Sequence, residues 1–520
     1  EEVCRRGEVN EPVSICALKR YAADNDKGLW RRNTKVAPDT GKKVAVVGAG
    51  PAGLTAAFYL RKRGHGVALF EARSRAGGMM RYGIPRYRLP EEVLDREIGD
   101  ILALGVEFLH DRAVGRDVSL DQLKEEGFHA VFLGVGAQLS RRISLEGADH
   151  PEVLWGVDLL GKVAEGDCVR LKDRVIVVGG GNAAVDAALT AMRCGAKEVT
   201  MVCPEKRHEM PAQDWQVQGA LEEGVALMTS WGPHRILNDK GRITGMELIH
   251  CTAVFDDKGA FSPTFDDRME TIEGDQVILA IGQTPDLSFL PEAGGVAVNR
   301  GLIVVDRGTL ETGMKGVYAG GDATGTPGTI IHAVAVGRKA ASSIDRALGG
   351  VGEIDEVLFA RGEPSQHVGR DEGFALWPRE RAPEIDVEER RQGFREVASG
   401  FSDEQALKEA RRCLQCDLRL YLKANPSPPL RILPFTEENV NRVPNEEGVF
   451  LLYDAEKKVI AIKGTAVLRQ TLLEALEEYE SAEWFEFEED KLYSKRESER
   501  MQQYLHEHGS MPGGGNDDLF

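Results

Sequence analysis

The chain has few sulfur atoms, a deficit of basic charge and no long apolar run, and each shortage excludes something. Only 8 cysteines occur in 520 residues, too sparse for a disulfide scaffold, so a reducing, cytoplasmic location is expected. No run of 18 apolar residues is present, which argues against a membrane-spanning helix. No charged-then-apolar leader opens the chain. It starts on Glu1 rather than methionine, so trimming or missing upstream residues are expected. Acidic residues outnumber basic ones 84 to 65, for a formal charge of −19. That balance speaks against nucleic acid, whose phosphates attract a basic face.

What the chain has in quantity is glycine, 58 residues, and two glycine-rich turns carry the chemistry. In VAVVGAGPAGLTAA (44–57), Gly48, Gly50 and Gly53 follow a strand and open a helix, with Pro51 and Ala52 between them. One glycine makes such a turn, one admits a pyrophosphate and one lets helix and strand pack. The helix N-terminus then offers partial positive charge to phosphate. Glu71 closes the next strand, where a carboxylate can accept from a ribose hydroxyl. The second turn, in VIVVGGGNAAVDAA (175–188), has Gly179, Gly181 and Ala184, with Asn182, Ala183 and Asp186 on the helix it opens. In YAGGDATG (318–325), Gly321 and Asp322 suit a ribityl hydroxyl, and the helix beyond can face a flavin edge. A domain interrupted by another would unite 44–155 with 285–350. One turn then holds FAD and the other a nicotinamide dinucleotide that hands it a hydride.

GGMMRYGIPRYRLP (77–90), GGGNAAVDAA, KRHEMPA (206–212), ILAIGQTPD (278–286) and YAGGDATG together resemble the flavoprotein family of the glutamate synthase small subunit. The flavin half of NADH-dependent ferredoxin:NADP oxidoreductases and the FAD-bearing region of dihydropyrimidine dehydrogenase are similar. The resemblance covers roughly 1–350. It implies FAD contacts at Gly48, Gly50, Pro51, Ala52, Gly53, Glu71, Ala72, Gly77, Gly78, Arg81, Gly83, Ile84, Gly321 and Asp322. It implies nicotinamide dinucleotide contacts at Gly179, Gly181, Asn182, Ala183, Glu205, Lys206, Arg207 and Gly282.

The expected fold is α/β, with two Rossmann-like domains. The NAD(P)-binding domain (161–284) is inserted in the FAD-binding domain (41–160 and 285–350). A helical remnant of an iron–sulfur segment (1–40) precedes them. A linker with a CxxC motif (351–434) and a small α+β module (435–520) follow. Thioredoxin reductases carry a redox CxxC within the nicotinamide domain, and none lies between 161 and 284 here, which disfavours disulfide chemistry. NADP-using relatives commonly place two arginines where Pro204 and Glu205 stand. Glu205 can bind a ribose 2′-hydroxyl and repel a 2′-phosphate, so NADH is expected over NADPH, although Lys206 and Arg207 could reach a phosphate.

The resemblance implies an iron–sulfur segment ending in several cysteines and CxxGxxxxPV; CRRGEVNEPV (4–13) keeps only the last of those cysteines, Cys4, so the remaining ligands are expected upstream or on another chain. Cys413 and Cys416 in RRCLQCDLR (411–419) could bind zinc, ligate part of an iron–sulfur cluster, cycle as a dithiol or do nothing. Arg411, Arg412 and Arg419 would favour thiolates. Cys16, Cys168, Cys194, Cys203 and Cys251 read as packed, small apolar residues. The C-terminal module is similar to a worn GIY-YIG domain, with Gly448-Val449-Phe450 and Ile462-Lys463-Gly464 as its triads. Arg469 lies too near the glycine for catalysis, and an inactive docking module is expected.

These readings converge on an electron-input flavoprotein subunit. It oxidises NADH through FAD, passes electrons to iron–sulfur clusters of a larger complex and needs iron–sulfur protein partners. Positioning does the work, and no catalytic side chain is nominated. A self-contained disulfide or quinone reductase and a non-catalytic scaffold are the alternatives.

Overall fold

A computed structural model describes residues 1, 3–290, 295–325, 328–355, 372–416, 432–508 and 512. The expected linker and the tail HEHGSMPGGGND lie partly outside those residues. Two compact units result, Glu1–Leu414 and Gln415–Phe520.

In the first unit, chain order begins with β1 (Lys43–Val47), β2 (Gly66–Phe70), β3 (Glu107–Leu109) and β4 (Ala130–Leu133). A second set follows: β5 (Val153–Trp155), β6 (Arg174–Val178), β7 (Glu198–Cys203) and β8 (Ala226–Thr229). Three long strands come next, β9 (Trp231–Asp239), β10 (Arg242–Phe255) and β11 (Phe261–Glu273), then β12 (Gln276–Leu279) and β13 (Val317–Ala319). β13, β4, β1, β2 and β3 form one five-stranded sheet in that order, and β5, β12, β6, β7 and β8 form another. Every neighbouring pair in both sheets is parallel. VAVV and VIVV are continuous apolar runs because helices cover both faces of such sheets. Their valines are buried accordingly.

The second sheet is built from residues that lie between β4 and β13, so one sheet interrupts the other. β5 belongs to the interrupting sheet, although the expected boundary at 161 leaves it in the flavin-binding half. Its partner is β12, far along the chain, and three residues without a turn signal do not announce such a pairing.

Helix Ile330–Ala347 packs against helix Pro51–Lys62, and Gly337 sets their separation. A β-carbon there would lie 2.4 Å from the Ala52 carbonyl oxygen. This contact delivers the start of the long helix, capped by the Thr329 hydroxyl, to the first glycine turn.

Helix Asp403–Arg411 begins with a Ser402–Gln405 capping box and stops before Cys413. Its end is pinned inward. Glu409 Oε1 accepts from the Ser14 N–H and from Arg412 Nη1, both at 2.7 Å, and all but vanishes from the surface. Arg412 also donates to the Glu11 carbonyl and to Asn10. The arginine expected to favour thiolates is therefore committed to a buried ion pair, because a buried carboxylate needs its charge matched.

The second unit holds a four-stranded sheet ordered β14 (Leu433–Pro434), β17 (Trp484–Glu489), β15 (Gly448–Tyr453) and β16 (Val459–Thr465). The two triads face each other across β15 and β16, with Val449 opposite Gly464 and Phe450 opposite Lys463. Arg469 spends its Nε on the Val443 carbonyl at 2.6 Å. No helix of the described residues is long and apolar enough to cross a membrane.

Candidate functional site: two glycine turns on one cavity

A single cavity of about 1390 Å³ runs through the first unit, lined by the ends of both parallel sheets. Strand C-termini and the turns that leave them form such crevices in open α/β sheets. Gly48, Gly50, Pro51, Ala52, Glu71, Ala72, Gly78, Gly83, Ile84, Gly321 and Asp322 line one part. Gly179, Gly181, Asn182, Ala183, Glu205 and Gly282 line another part of the same space.

The first turn is shaped by close backbone approach. A β-carbon on Gly53 would sit 1.9 Å from the Gly48 carbonyl oxygen, so Gly53 packs helix on strand and stays out of the cavity. Gly78, at φ +52°, presses on Gly50 with only 2.7 Å from its would-be β-carbon to the Gly50 Cα. Gly50 differs: a β-carbon on it would meet only the Gly78 Cα, at 3.8 Å, and would otherwise project into free space. That space is the cradle a pyrophosphate requires.

Glu71 Oε2 accepts from the Ala49 N–H at 2.9 Å and Oε1 accepts from the Arg73 N–H at 3.0 Å. The carboxylate thus holds the turn as well as facing the cavity. Burial pushes the Asp322 carboxyl above the usual carboxylate range.

The second turn repeats the first. A β-carbon on Gly179 would come within 2.4 Å of the Ala280 carbonyl oxygen, whereas one on Gly181 would meet only Pro211, at 4.0 Å. Asn182 Oδ1 accepts from the Gln213 N–H at 2.9 Å and fastens the following loop. Glu205 is 7% exposed, and its Oε2 is buried without a hydrogen-bond partner among the described residues. Burial raises its pKa, and burial with the adjacent Glu205 charge pushes the Cys203 thiol up to about 12. A buried acceptor left unpaired is costly and fits a ligand hydroxyl.

Lys206 and Arg207 do not line the cavity. Lys206 Nζ stands 3.9 Å from Glu209, and Arg207 Nη1 donates to Asp214 at 2.6 Å. Arg81 is also turned away: Nε donates to the Ala76 carbonyl at 2.6 Å and Nη2 to Asp95 at 2.5 Å. It braces the Ala76–Gly78 turn, as does Gly77, whose φ of +130° no other residue adopts readily.

Sequence reasoning passed over a partly buried pair between the two sheets' elements. Arg88 Nε donates to Asp186 Oδ1 at 2.5 Å, and the Tyr87 hydroxyl lies 3.4 Å from the same oxygen. Burial pushes the Asp186 carboxyl up against the pull of Arg88. Asp186 follows the second turn on its helix, and RYRLP holds the arginine; only their separation in the chain hides the partnership. The Gly134–Ala137 stretch also lines the cavity, and GVGA at a strand end was its available signal.

The cysteines differ from expectation. Cys16 and Cys168 are exposed rather than packed, on the outer side of helix Ile15–Asp24 and in a loop, while Cys203 and Cys251 are buried. Cys413 and Cys416 are exposed, and Cys4 Sγ accepts from the Val13 N–H at 3.4 Å. Among the described residues no group of three or more His, Cys, Asp or Glu is arranged to hold a metal ion. These donors alone do not fit an iron–sulfur cluster, which usually needs four thiolates.

Residues 42–337 match the family described as pyridine nucleotide-disulphide oxidoreductase. The NADP(+)-dependent formate dehydrogenase subunit beta of Moorella thermoacetica is 40% identical over 453 residues, which cover 80% of this chain and 63% of that protein. The NADPH glutamate synthase small chain of Escherichia coli K12 is 33% identical over 358 residues, covering 64% of this chain and 74% of that one. Among solved structures, a mutant of FprA from Mycobacterium tuberculosis superposes with a TM-score of 0.52 at 18% identity, over 60% of this chain and 85% of that one. That last likeness concerns the fold alone. The chain belongs to the pyridine nucleotide-disulphide oxidoreductase family.

Proposed function

We propose that this chain is the electron-input subunit of a larger redox complex, oxidising NADH and passing electrons to iron–sulfur centres of partner subunits. One observation carries the reading: both glycine turns open onto the same cavity. Gly48, Gly50 and Gly78 are taken to cradle the FAD pyrophosphate, with Glu71 and Asp322 toward its hydroxyls. Gly179, Gly181 and Asn182 are taken to hold the dinucleotide. When bound, FAD supplies the conversion between hydride and single-electron transfer. The chain's own contribution is orientation, and the Arg88–Asp186 pair fixes the dinucleotide helix relative to the flavin-side loop.

The preference for NADH rests on Glu205, whose free oxygen suits a 2′-hydroxyl and whose charge opposes a 2′-phosphate. The names of the two relatives point the other way, toward NADPH. The engagement of Lys206 and Arg207 with acidic neighbours favours NADH here.

Both relatives carry the name of a subunit or chain, which supports a hetero-oligomeric assembly. Cys413 and Cys416 are proposed as thiolate donors to an iron–sulfur centre that Cys4 or a partner completes, and the C-terminal unit as a docking module. Purification of the native complex with mass-spectrometric identification of its subunits tests this reading. Co-purification of iron–sulfur proteins is expected; a fully active chain with no partner favours the self-contained reductase.

A further inference from the structure

The sheet β9–β10–β11 puts aromatic surface into the cavity wall, and no step of the proposed hydride transfer uses it. β11 is an edge strand of that sheet. On it Phe261 and Phe265 are 62% and 42% exposed, yet with Pro263 they line the cavity that Glu205 also lines. Both rings are held in place. Phe255 meets Phe261 edge-on at a centroid distance of 6.4 Å. Gly232 makes room for Phe265, since a β-carbon there would fall 2.6 Å from the ring.

Their position relative to Glu205 follows from the backbone. The Glu205 carbonyl accepts from the Ser230 N–H at 2.9 Å, and the Ser230 carbonyl accepts from the Cys251 N–H at 2.8 Å. Cys251 is the register partner of Phe265. In the sheet, Glu205 lies two residues beyond the end of β7, and β8 lies outside β7, away from the turn that follows β6. A dinucleotide whose phosphates sit at that turn and whose ribose meets Glu205 directs its base outward past β8. Phe261, Pro263 and Phe265 line the same cavity as Glu205.

We propose that Phe261, Pro263 and Phe265 form a shelf on which the adenine of the nicotinamide dinucleotide stacks. The proposal rests on the reading of the second turn as the dinucleotide site. An adenine offers a flat π-face to such rings, and one stacked base contributes about 1–3 kcal/mol by alanine substitution. That range corresponds to a roughly 5- to 150-fold change in affinity.

ADP-ribose contains the adenine but no nicotinamide, and reduced nicotinamide mononucleotide contains the nicotinamide but no adenine. Calorimetric titration of the FAD-loaded full chain with ADP-ribose should show that loss in a Phe261→Ala, Phe265→Ala double variant. Phe265→Tyr, which keeps the ring, should bind like wild type. Reduction of the flavin by the mononucleotide should be unchanged in all of them. Unchanged ADP-ribose affinity in the double variant overturns the shelf, and so do equal losses for ADP-ribose and the mononucleotide. Loss of a co-purifying subunit with ADP-ribose affinity intact overturns it too and assigns the rings to a protein partner. If NADH fails to reduce the wild-type flavin while the ADP-ribose loss persists, the shelf stands and the electron-input reading falls.

Discussion

The Glu205 carboxylate lies directly over Gly180, where a β-carbon would stand 2.7 Å from Glu205 Oε2. The same oxygen has no hydrogen-bond partner among the described residues, so the backbone clears a place for a charged acceptor and leaves it free. Glu205→Gln removes the charge and keeps the shape. It should shift the NADH to NADPH ratio of kcat/KM toward NADPH by about tenfold or more, about 1.4 kcal/mol. Steady-state oxidation of both dinucleotides checks this, and an unshifted ratio contradicts it.

The raised pKa of Glu205 adds a pH dependence with a fixed sign. The charged form dominates above that pKa and the neutral form below it. Discrimination against NADPH should therefore weaken as pH falls through the raised value. Stability moves oppositely to the usual carboxylate: the folded chain takes up a proton, so the cost of ionised Glu205 grows as pH rises. Glu205→Gln should raise Tm at alkaline pH, and the gain should vanish in acid.

Gly50 and Gly181 separate the two nucleotides. Neither would-be β-carbon meets an atom closer than 3.8 Å, so a larger side chain fills ligand space rather than breaking the turn. Gly50→Leu should give folded, colourless protein. Gly181→Leu should stay yellow and resist reduction by NADH. Circular dichroism, flavin content and anaerobic titration distinguish these outcomes.

Much of this site was legible because it is local. Each glycine turn is written in one strand–turn–helix stretch, and Gly53 packs as its spacing requires. Phe261 and Phe265 were not legible, since an edge strand of phenylalanines spells apolar surface without saying what it faces. Arg81 and Arg412 misled for a related reason: a charge in sequence does not reveal the carboxylate that folding brings to it. β5 was too short to declare its sheet.

Asp186 is buried and Arg88 partly so, and removing the arginine strands a buried carboxylate. Arg88→Met should destabilise the chain by about 3–5 kcal/mol, and adding Asp186→Asn should recover part of that loss. Thermal unfolding of the single and double variants reads the coupling; equal stability of wild type and Arg88→Met contradicts it.

Replacing both Cys413 and Cys416 by serine should leave flavin content and NADH-dependent flavin reduction intact, because neither thiol lines the cavity. Iron content and cluster EPR signals of the anaerobically purified complex should fall. Unchanged signals and unchanged iron remove these thiols from the electron path.

Anaerobic stopped-flow mixing of the FAD-loaded chain with NADH, without any partner subunit, tests the central claim most directly. The two turns sharing one cavity predict rapid, stoichiometric loss of the oxidised flavin's visible absorbance within a single turnover. A chain that carries stoichiometric FAD and binds NADH, yet keeps its flavin oxidised on that timescale, contradicts the account.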